Sequence, residues 1–352
     1  MNRLVTINGH KIGDGQPTFV IAEAGVNHNG DMAIARELIE IAADAGADAV
    51  KFQTFDVGEL VTRAAPKARY QAANTKAEGS QYEMLQTLRL PPDEHAALRE
   101  FCEKRGTMFL SSPFDQGSLD FLVDFGVAAI KIPSGEITNH PLLAHAAKSG
   151  LPLIVSTGMS TLDEVAAAVR LLDKSGCTDL VLLHCVSDYP AAPGEANLRA
   201  MDTMRREFGV PVGFSDHTTG IAVATAAVAL GAAVIEKHFT VERPLEGPDH
   251  AASLKPAELK AMIAAIRNVE AALGDGVKRP QRSEAATADV ARKSLVWAKD
   301  LPAGARIDAG SIAIKRPGTG IPPTKLANVL GRVTARAVQA DALIDDKNDL
   351  RP

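Results

Sequence analysis

The chain has 352 residues, 46% of them hydrophobic and 23% charged, with 38 basic against 43 acidic side chains and a net charge of −5. The apolar fraction excludes a disordered chain, and the lack of a basic excess excludes a general nucleic-acid or anionic-membrane binder, so any anionic ligand must be held by a few local cations. Cys102, Cys177 and Cys185 are too few and too scattered for a disulfide framework or a CxxC motif; no secretory apolar run opens the chain, and its longest apolar stretch, residues 221–235, is shorter than the ~20 residues of a membrane span, so a cytoplasmic protein is expected.

In chain order, Leu4-Val5-Thr6-Ile7, Asn8-Gly9 and His10-Lys11-Ile12 read as a hairpin within residues 1–17, a lid or plug ahead of the main fold. Short runs rich in β-branched residues then recur at 19–22, 49–52, 107–110, 129–132, 153–155, 180–183, 210–213 and 233–235. Helical periodicity fills the intervals 33–45, 162–172 and 196–208 and follows the last run at 254–273. Gly46, Gly106, Gly150, Gly176 and Gly231 stand where those intervals close. Eight strands alternating with helices over residues 18–273 predict an α/β fold, a (β/α)8 TIM barrel. The competing doubly wound open sheet lacks a GxGxxG after its first strand. Residues 274–293 are polar and mixed, a linker by composition, and residues 294–352 read as a small β-rich module of short elements broken by Gly and Pro.

In such a barrel the chemistry sits at the C-terminal strand ends, and those positions here are polar. They carry Glu23; Lys51 and Gln53; Ser111 and Ser112; Lys131, Ser134 and Glu136; Ser156; His184, Ser187 and Tyr189; Ser215, Asp216 and His217; and Glu236, Lys237 and His238. Charges on core strands need partners, because an unpaired buried charge is costly. His217 and His238 end neighbouring strands ~5 Å apart. They read either as metal ligands of the manganese, iron, cobalt or zinc type or as two hydrogen-bonded histidines. Lys51 and Lys131 read as an anion cradle, as a Schiff-base lysine, or as ion-pair partners of Glu23 or Glu136. The hydroxyls and glycine turns at Ser134-Gly135 and Ser156-Thr157-Gly158 favour the cradle. Glu136 is a general acid/base or a partner of Lys131; Asp249 accepts a substrate hydroxyl or shapes a turn; Tyr189 is equally open.

Several of these stretches resemble the sialic acid synthase family. They are Ala22-Glu23-Ala24-Gly25-Val26-Asn27-His28-Asn29-Gly30, Lys51-Phe52-Gln53, Lys131-Ile132-Pro133-Ser134-Gly135-Glu136, Ser156-Thr157-Gly158-Met159, Gly213-Phe214-Ser215-Asp216-His217-Thr218, Glu236-Lys237-His238-Phe239-Thr240, Gly247-Pro248-Asp249-His250 and Lys315-Arg316-Pro317-Gly318-Thr319-Gly320. The resemblance implies a TIM barrel followed by an antifreeze-like (SAF) domain, swapped across a homodimer. It implies condensation of phosphoenolpyruvate with an N-acetylated mannose-type amino sugar, giving a nine-carbon 2-keto acid and phosphate. His217 and His238 would hold a divalent metal, typically Mn2+, with Mg2+ or Co2+ as alternatives. Phosphoenolpyruvate would lie against Lys51, Lys131, Ser134, Ser156 and Ser215, with Ser187 at a phosphate contact where some relatives carry Asn. Gln53, Asn74, Tyr189 and Asp249 would serve the substrates, Arg316 of the partner subunit would reach the acyl group, and Glu23 and Glu136 would transfer protons. The rivals are a legionaminic acid synthase using a 2,4-diacetamido-2,4,6-trideoxy sugar, a Schiff-base aldolase, and a carbohydrate-binding protein.

Overall fold

The computed structural model describes residues 3–75 and 78–352, which fall into two compact units, residues 1–274 and 275–352. The first unit opens with the hairpin β1 (Val5–Ile7) and β2 (His10–Ile12), antiparallel around Asn8-Gly9. Eight parallel strands follow: β3 (Phe19–Gly25), β4 (Ala49–Thr54), β5 (Met108–Pro113), β6 (Ile130–Ile132), β7 (Leu153–Ser156), β8 (Leu180–Cys185), β9 (Val212–Asp216) and β10 (Val234–His238). Their order is β5-β4-β3-β10-β9-β8-β7-β6, and β5 lies against β6, so the sheet bends round into a nearly closed barrel.

The period-2 alternation of each strand divides its apolar residues between two cores. One face, with Val20, Val50, Phe52, Val155, Leu182, Phe214 and Ile235, packs on the surrounding helices. The other, with Phe19, Ile21, Ala49, Leu110, Ile154, Leu183 and Val234, fills the lower barrel together with Val5, Ile7 and Ile12 of the hairpin. The hairpin is therefore a plug at the N-terminal end, and the opposite end is left to polar residues.

Local chemistry fixes the helices. Asp31 caps Met32–Ala45 by accepting from the Ala33 amide, and Gly46, at φ 83°, returns its amide to the Ala42 and Ala43 carbonyls, a left-handed stop that a side chain disfavours. Two expected boundaries move. The seventh barrel strand, read at 210–213, starts at Val212 and runs to Asp216; Pro211 has no N–H for the ladder. The helix read from 196 starts at Ala200, because Asn197 is left-handed at φ 42° and interrupts the helical run. The interval between β4 and β5 is an excursion of short helices, Val57–Leu60, Arg69–Thr75 and Gln81–Leu88, before Glu94–Arg105 returns the chain to the barrel wall.

In the second unit, the segment read as a flexible linker contains a helix, Ala285–Ala291. Its alanine content favours helix despite the polar flanks. β11 (Ser294–Trp297) pairs with β12 (Ile312–Lys315), and β13 (Val333–Thr334) with β14 (Leu350–Arg351). Their core gathers on Trp297 with Leu295, Ile307, Val329 and Ile344. Among the described residues no helix is long and apolar enough to cross a membrane.

Candidate active site

Strand parity decides which polar residues enter the barrel. On β10, Glu236 and His238 share the inward face, whereas Lys237 faces the helices. There its Nζ donates to the Asp216 carboxylate at 2.7 Å and to the Thr218 carbonyl at 2.6 Å. Lys237 and Asp216 thus neutralise each other outside the barrel, while Ser215 and His217 point in with Glu236 and His238.

At the floor of the site lies a buried network of two carboxylates and two lysines. Lys51 Nζ is 2.7 Å from Glu23 Oε2 and 3.5 Å from Glu236 Oε2, and it donates to Ser112 Oγ at 3.0 Å. Lys131 Nζ donates to Ser156 Oγ at 2.7 Å and to the Ile132 carbonyl at 3.3 Å, with Glu236 Oε1 3.5 Å away. Ser215 Oγ donates to that same carboxylate oxygen at 2.8 Å. The two acids are driven apart. Burial raises Glu23 to about 7 against the pull of Lys51. Burial also works to raise Glu236, but Lys131, Lys51 and Ser215 outweigh it and hold that carboxyl at about 2. Burial opposes the charge on Lys51 too, but Glu23 and Glu236 prevail and raise its pKa. On Lys131 burial prevails and lowers it. Lys131 is thus the cation with less anionic compensation. Its acidic neighbour is Glu236, not Glu136 as one reading of the sequence had it; Glu136 accepts instead from Asn139 Nδ2 at 2.7 Å.

Beside Lys131, the Gly158 amide donates to Ser134 Oγ at 2.9 Å, and Ser134 Oγ is 3.1 Å from Cys185 Sγ. A Cβ on Gly158 would stand 2.2 Å from Ser187 Oγ, 2.8 Å from Ser134 Oγ and 2.9 Å from Cys185 Sγ. Gly158→Ala is therefore expected to displace both hydroxyls and weaken anion binding by roughly tenfold or more, the worth of about one hydrogen bond to a charged group. Titration of the variant, folded by circular dichroism, with the phosphoenolpyruvate that the resemblance implies checks this; unchanged affinity would remove both serines from the expected anion contacts.

Higher in the barrel the His217 and His238 rings face each other with centroids 5.6 Å apart. His217 Nδ1 lies 2.6 Å from the Val186 carbonyl. A carbonyl only accepts, so Nδ1 carries the proton and Nε2 presents its lone pair. His238 Nδ1 is buried without a hydrogen-bond partner. Burial lowers the pKa of both imidazoles, and His217 adds to the lowering at His238. Asp249 Oδ2 approaches His238 Nδ1 at 3.9 Å, but burial raises Asp249 to about 7 while His238 is held neutral, so the contact is no fixed ion pair. Two neutral, desolvated imidazoles, one with its tautomer fixed and the other with a vacant ring nitrogen, fit a divalent metal of borderline softness. Among the described residues no group of three or more His, Cys, Asp or Glu converges to hold an ion, so an ion placed here would draw on these two imidazoles and complete its shell with substrate or water.

Tyr189 packs its ring 4.2 Å from His217 and 4.9 Å from Tyr70. Gln53 Nε2 reaches Glu23 Oε1 at 3.4 Å. These side chains share one cavity of about 470 Å³ with Glu23, Lys51, Lys131, Ser134, Glu136, Ser156, Ser187, Ser215, His217, His238 and Asp249. Asn74 is not among its lining residues and donates to the Pro248 carbonyl at 2.7 Å, bracing the loop that carries Asp249. Arg316 lies in the second unit, where its Nε donates to the Ala291 carbonyl at 3.0 Å. The cavity also contains residues to which the sequence reading gave no role: Glu236, placed at a strand end but not paired with either lysine although its inward parity with His238 was legible, and Tyr70 and an apolar group from the β4–β5 excursion, for which no strand pattern existed.

The NeuB family model matches residues 38–278 and the SAF domain model residues 292–348. The chain is 48% identical to the N,N'-diacetyllegionaminic acid synthase of Legionella pneumophila over 92% of this chain and 93% of that one. It is 34% identical to the N-acetylneuraminate-9-phosphate synthase of Mus musculus over 97% and 95%. The crystal structure of an N-acetylneuraminic acid synthetase from Leptospira borgpetersenii superposes with a TM-score of 0.73 at 37% identity, covering 82% of this chain and 95% of that one. With the barrel, the strand-end chemistry and both family models in agreement, the chain belongs to the NeuB family and is an enzyme of the sialic acid synthase type.

Proposed function

We propose that the enzyme condenses phosphoenolpyruvate with the open-chain aldehyde of an N-acetylated mannose-type sugar, forming a nine-carbon 2-keto acid and releasing phosphate. The observation that carries this reading is the charge arrangement around Lys131. Buried Lys131 and Ser156, with the half-buried Ser134 and the Gly158 turn, form a donor cluster, and the lysine has less anionic compensation than Lys51. It is suited to a bound anion. A substrate with a carboxylate and a phosphate of about −2 brings more charge than the two lysines carry, since Glu23 and Glu236 already oppose them. A proton on Glu23 and a divalent ion on His217 and His238 would restore the balance. Such an ion, Mn2+ in this proposal, supplies Lewis-acid polarisation of a substrate oxygen.

The chain's own residues do the rest. The cradle aligns C3 of phosphoenolpyruvate with the aldehyde carbon, water adds at C2, and the tetrahedral adduct expels phosphate. Glu23, raised to about 7, gives or takes a proton near neutrality, with Glu136 as the second carboxylate; Glu236 stays ionised as a fixed countercharge. Tyr189 and Asp249 face the acceptor. The reading extends to a cytoplasmic homodimer in which Arg316 of a second copy serves the acyl group. The acceptor is N-acetylmannosamine or its 2,4-diacetamido-2,4,6-trideoxy analogue. A Schiff-base aldolase is disfavoured at Lys51, which carboxylates hold charged. Phosphate release from phosphoenolpyruvate should depend on an acceptor sugar from this panel; release that ignores every acceptor overturns the proposal.

A further inference from the structure

The loop after β3 carries Asn27-His28-Asn29-Gly30, a motif that the proposed condensation leaves without a task, and none of these four residues lines the cavity. β3 and β10 are neighbours, with Glu23 opposite His238. The loops that leave their C-terminal ends, residues 26–31 and 239–255, therefore run side by side. The first is a rigid support in its own right. The Asn29 amide donates to the Val26 carbonyl at 3.0 Å, the Asp31 amide to the His28 carbonyl at 2.8 Å, and the Gly30 amide to His28 Nδ1 at 3.0 Å. The second carries Asp249.

Two asparagines join the loops. Asn27 Nδ2 donates to the Phe239 carbonyl at 2.8 Å and to Ser253 Oγ at 2.9 Å, and that hydroxyl donates in turn to the Asp249 carbonyl at 2.7 Å. Asn29, left-handed at φ 50°, donates from Nδ2 to the Glu246 carbonyl at 2.9 Å. Its Oδ1 is left as an acceptor facing His250 Nε2 at 3.3 Å. Burial holds His250 neutral, with its pKa pulled down to about 4. Its one proton is thus on Nε2, and Nδ1 accepts from the Thr240 hydroxyl at 2.7 Å. At Gly247 a Cβ would stand 2.6 Å from His250 Cδ2 and 3.0 Å from Asn29 Oδ1, so glycine lets the loops close this far. Among the described residues no hydrogen bond steers the buried Asp249 carboxyl. Its direction follows from the main chain, which these ties hold at Glu246, at Asp249 itself and at His250.

We infer that Asn27, Asn29, His250 and Ser253 are positioning residues for the acceptor: from outside the cavity they set the aim of Asp249. The assignment rests on the proposed condensation, in which Asp249 faces the acceptor, and its test separates the two. Asn29→Gly removes both side-chain ties and keeps a left-handed backbone that glycine adopts freely. Ser253→Ala removes one hydroxyl and leaves the Ser253 carbonyl held by Arg243 Nε at 2.9 Å. With the full chain and whichever of the two acceptor sugars the wild-type enzyme turns over faster, each variant should raise the acceptor KM by about five- to tenfold, the worth of about one neutral hydrogen bond. The KM for phosphoenolpyruvate and the affinity for Mn2+ should not move. A cycle with Asp249→Ala sharpens this. Ties that act through Asp249 cost nothing further in kcat/KM for the acceptor once its carboxylate is gone, whereas a merely structural role raises both KM values and adds its full penalty in the Asp249→Ala background. Additive penalties, a parallel rise in both KM values, or an unchanged acceptor KM in both single variants overturns the positioning role and leaves the condensation standing. Wild-type enzyme that releases no phosphate with either acceptor overturns the condensation itself, and the positioning role with it.

Discussion

Alanine at His217 or His238 is expected to lower turnover by roughly a thousandfold, about 4 kcal/mol of transition-state stabilisation of the Lewis-acid kind. The basis is the pair of neutral, desolvated imidazoles with centroids 5.6 Å apart, one with its Nδ1 proton donated to the Val186 carbonyl and the other with a buried nitrogen lacking a partner. Chelation should abolish activity in the wild-type enzyme, and Mn2+ should restore it there and not in the variants. Equilibrium dialysis gives a second readout: about one Mn2+ per wild-type chain, and none held tightly by either variant. His217→Ala also leaves the Val186 carbonyl without its donor, a cost of about 1–3 kcal/mol, so a thermal melt must accompany it. His238→Ala removes no such bond at Nδ1 and is the cleaner probe. Stoichiometric Mn2+ binding by both variants, or full activity after exhaustive chelation, would sink the assignment.

Much of the barrel was legible because period-2 alternation acts twice. It sends Val20, Val50 and Phe214 to the helix-facing core and Ile21, Leu110 and Leu183 to the barrel interior. The same parity carries polar residues inward at the next layer, which is why reading strand ends located Lys51, Lys131, Ser156 and the histidines. Taking Glu236-Lys237-His238 as a block, without its alternation, concealed Glu236. The residue between the two inward ones is the lysine that neutralises Asp216 outside, and Glu236 is the carboxylate that faces both active-site cations. The excursion between β4 and β5 was opaque for a different reason. Its short helices are ordered by packing Val57, Met84, Leu85 and Leu88 against Val26 and Phe55, tertiary contacts that no local period announces. The Ala285–Ala291 helix shows the converse, a local propensity hidden by a polar average over the surrounding segment.

Lys131→Ala should weaken phosphoenolpyruvate binding by about 10- to 150-fold, the ~1.5–3 kcal/mol of one hydrogen bond to a charged group, while the KM for the acceptor stays near its wild-type value. The fold should survive, because Glu236 keeps Lys51 at 3.5 Å and the Ser215 hydroxyl at 2.8 Å and is not left as an uncompensated buried charge. The same substitution at Lys51 would confound binding with stability, since Lys51 Nζ holds Glu23 at 2.7 Å. Titration adds an independent sign. Burial lowers the Lys131 pKa, so an anion arriving beside it must raise that pKa again. Phosphoenolpyruvate binding should therefore be accompanied by proton uptake at alkaline pH, and Lys131→Ala should lose that component in calorimetry run in buffers of different ionisation enthalpy. A lowered lysine pKa is also what a Schiff-base enzyme requires, so the decisive control is borohydride with pyruvate. Wild-type enzyme that gains no mass and keeps its activity leaves Lys131 as an electrostatic ligand, whereas a stable adduct on Lys131, lost in the alanine variant, would replace the condensation with aldolase chemistry.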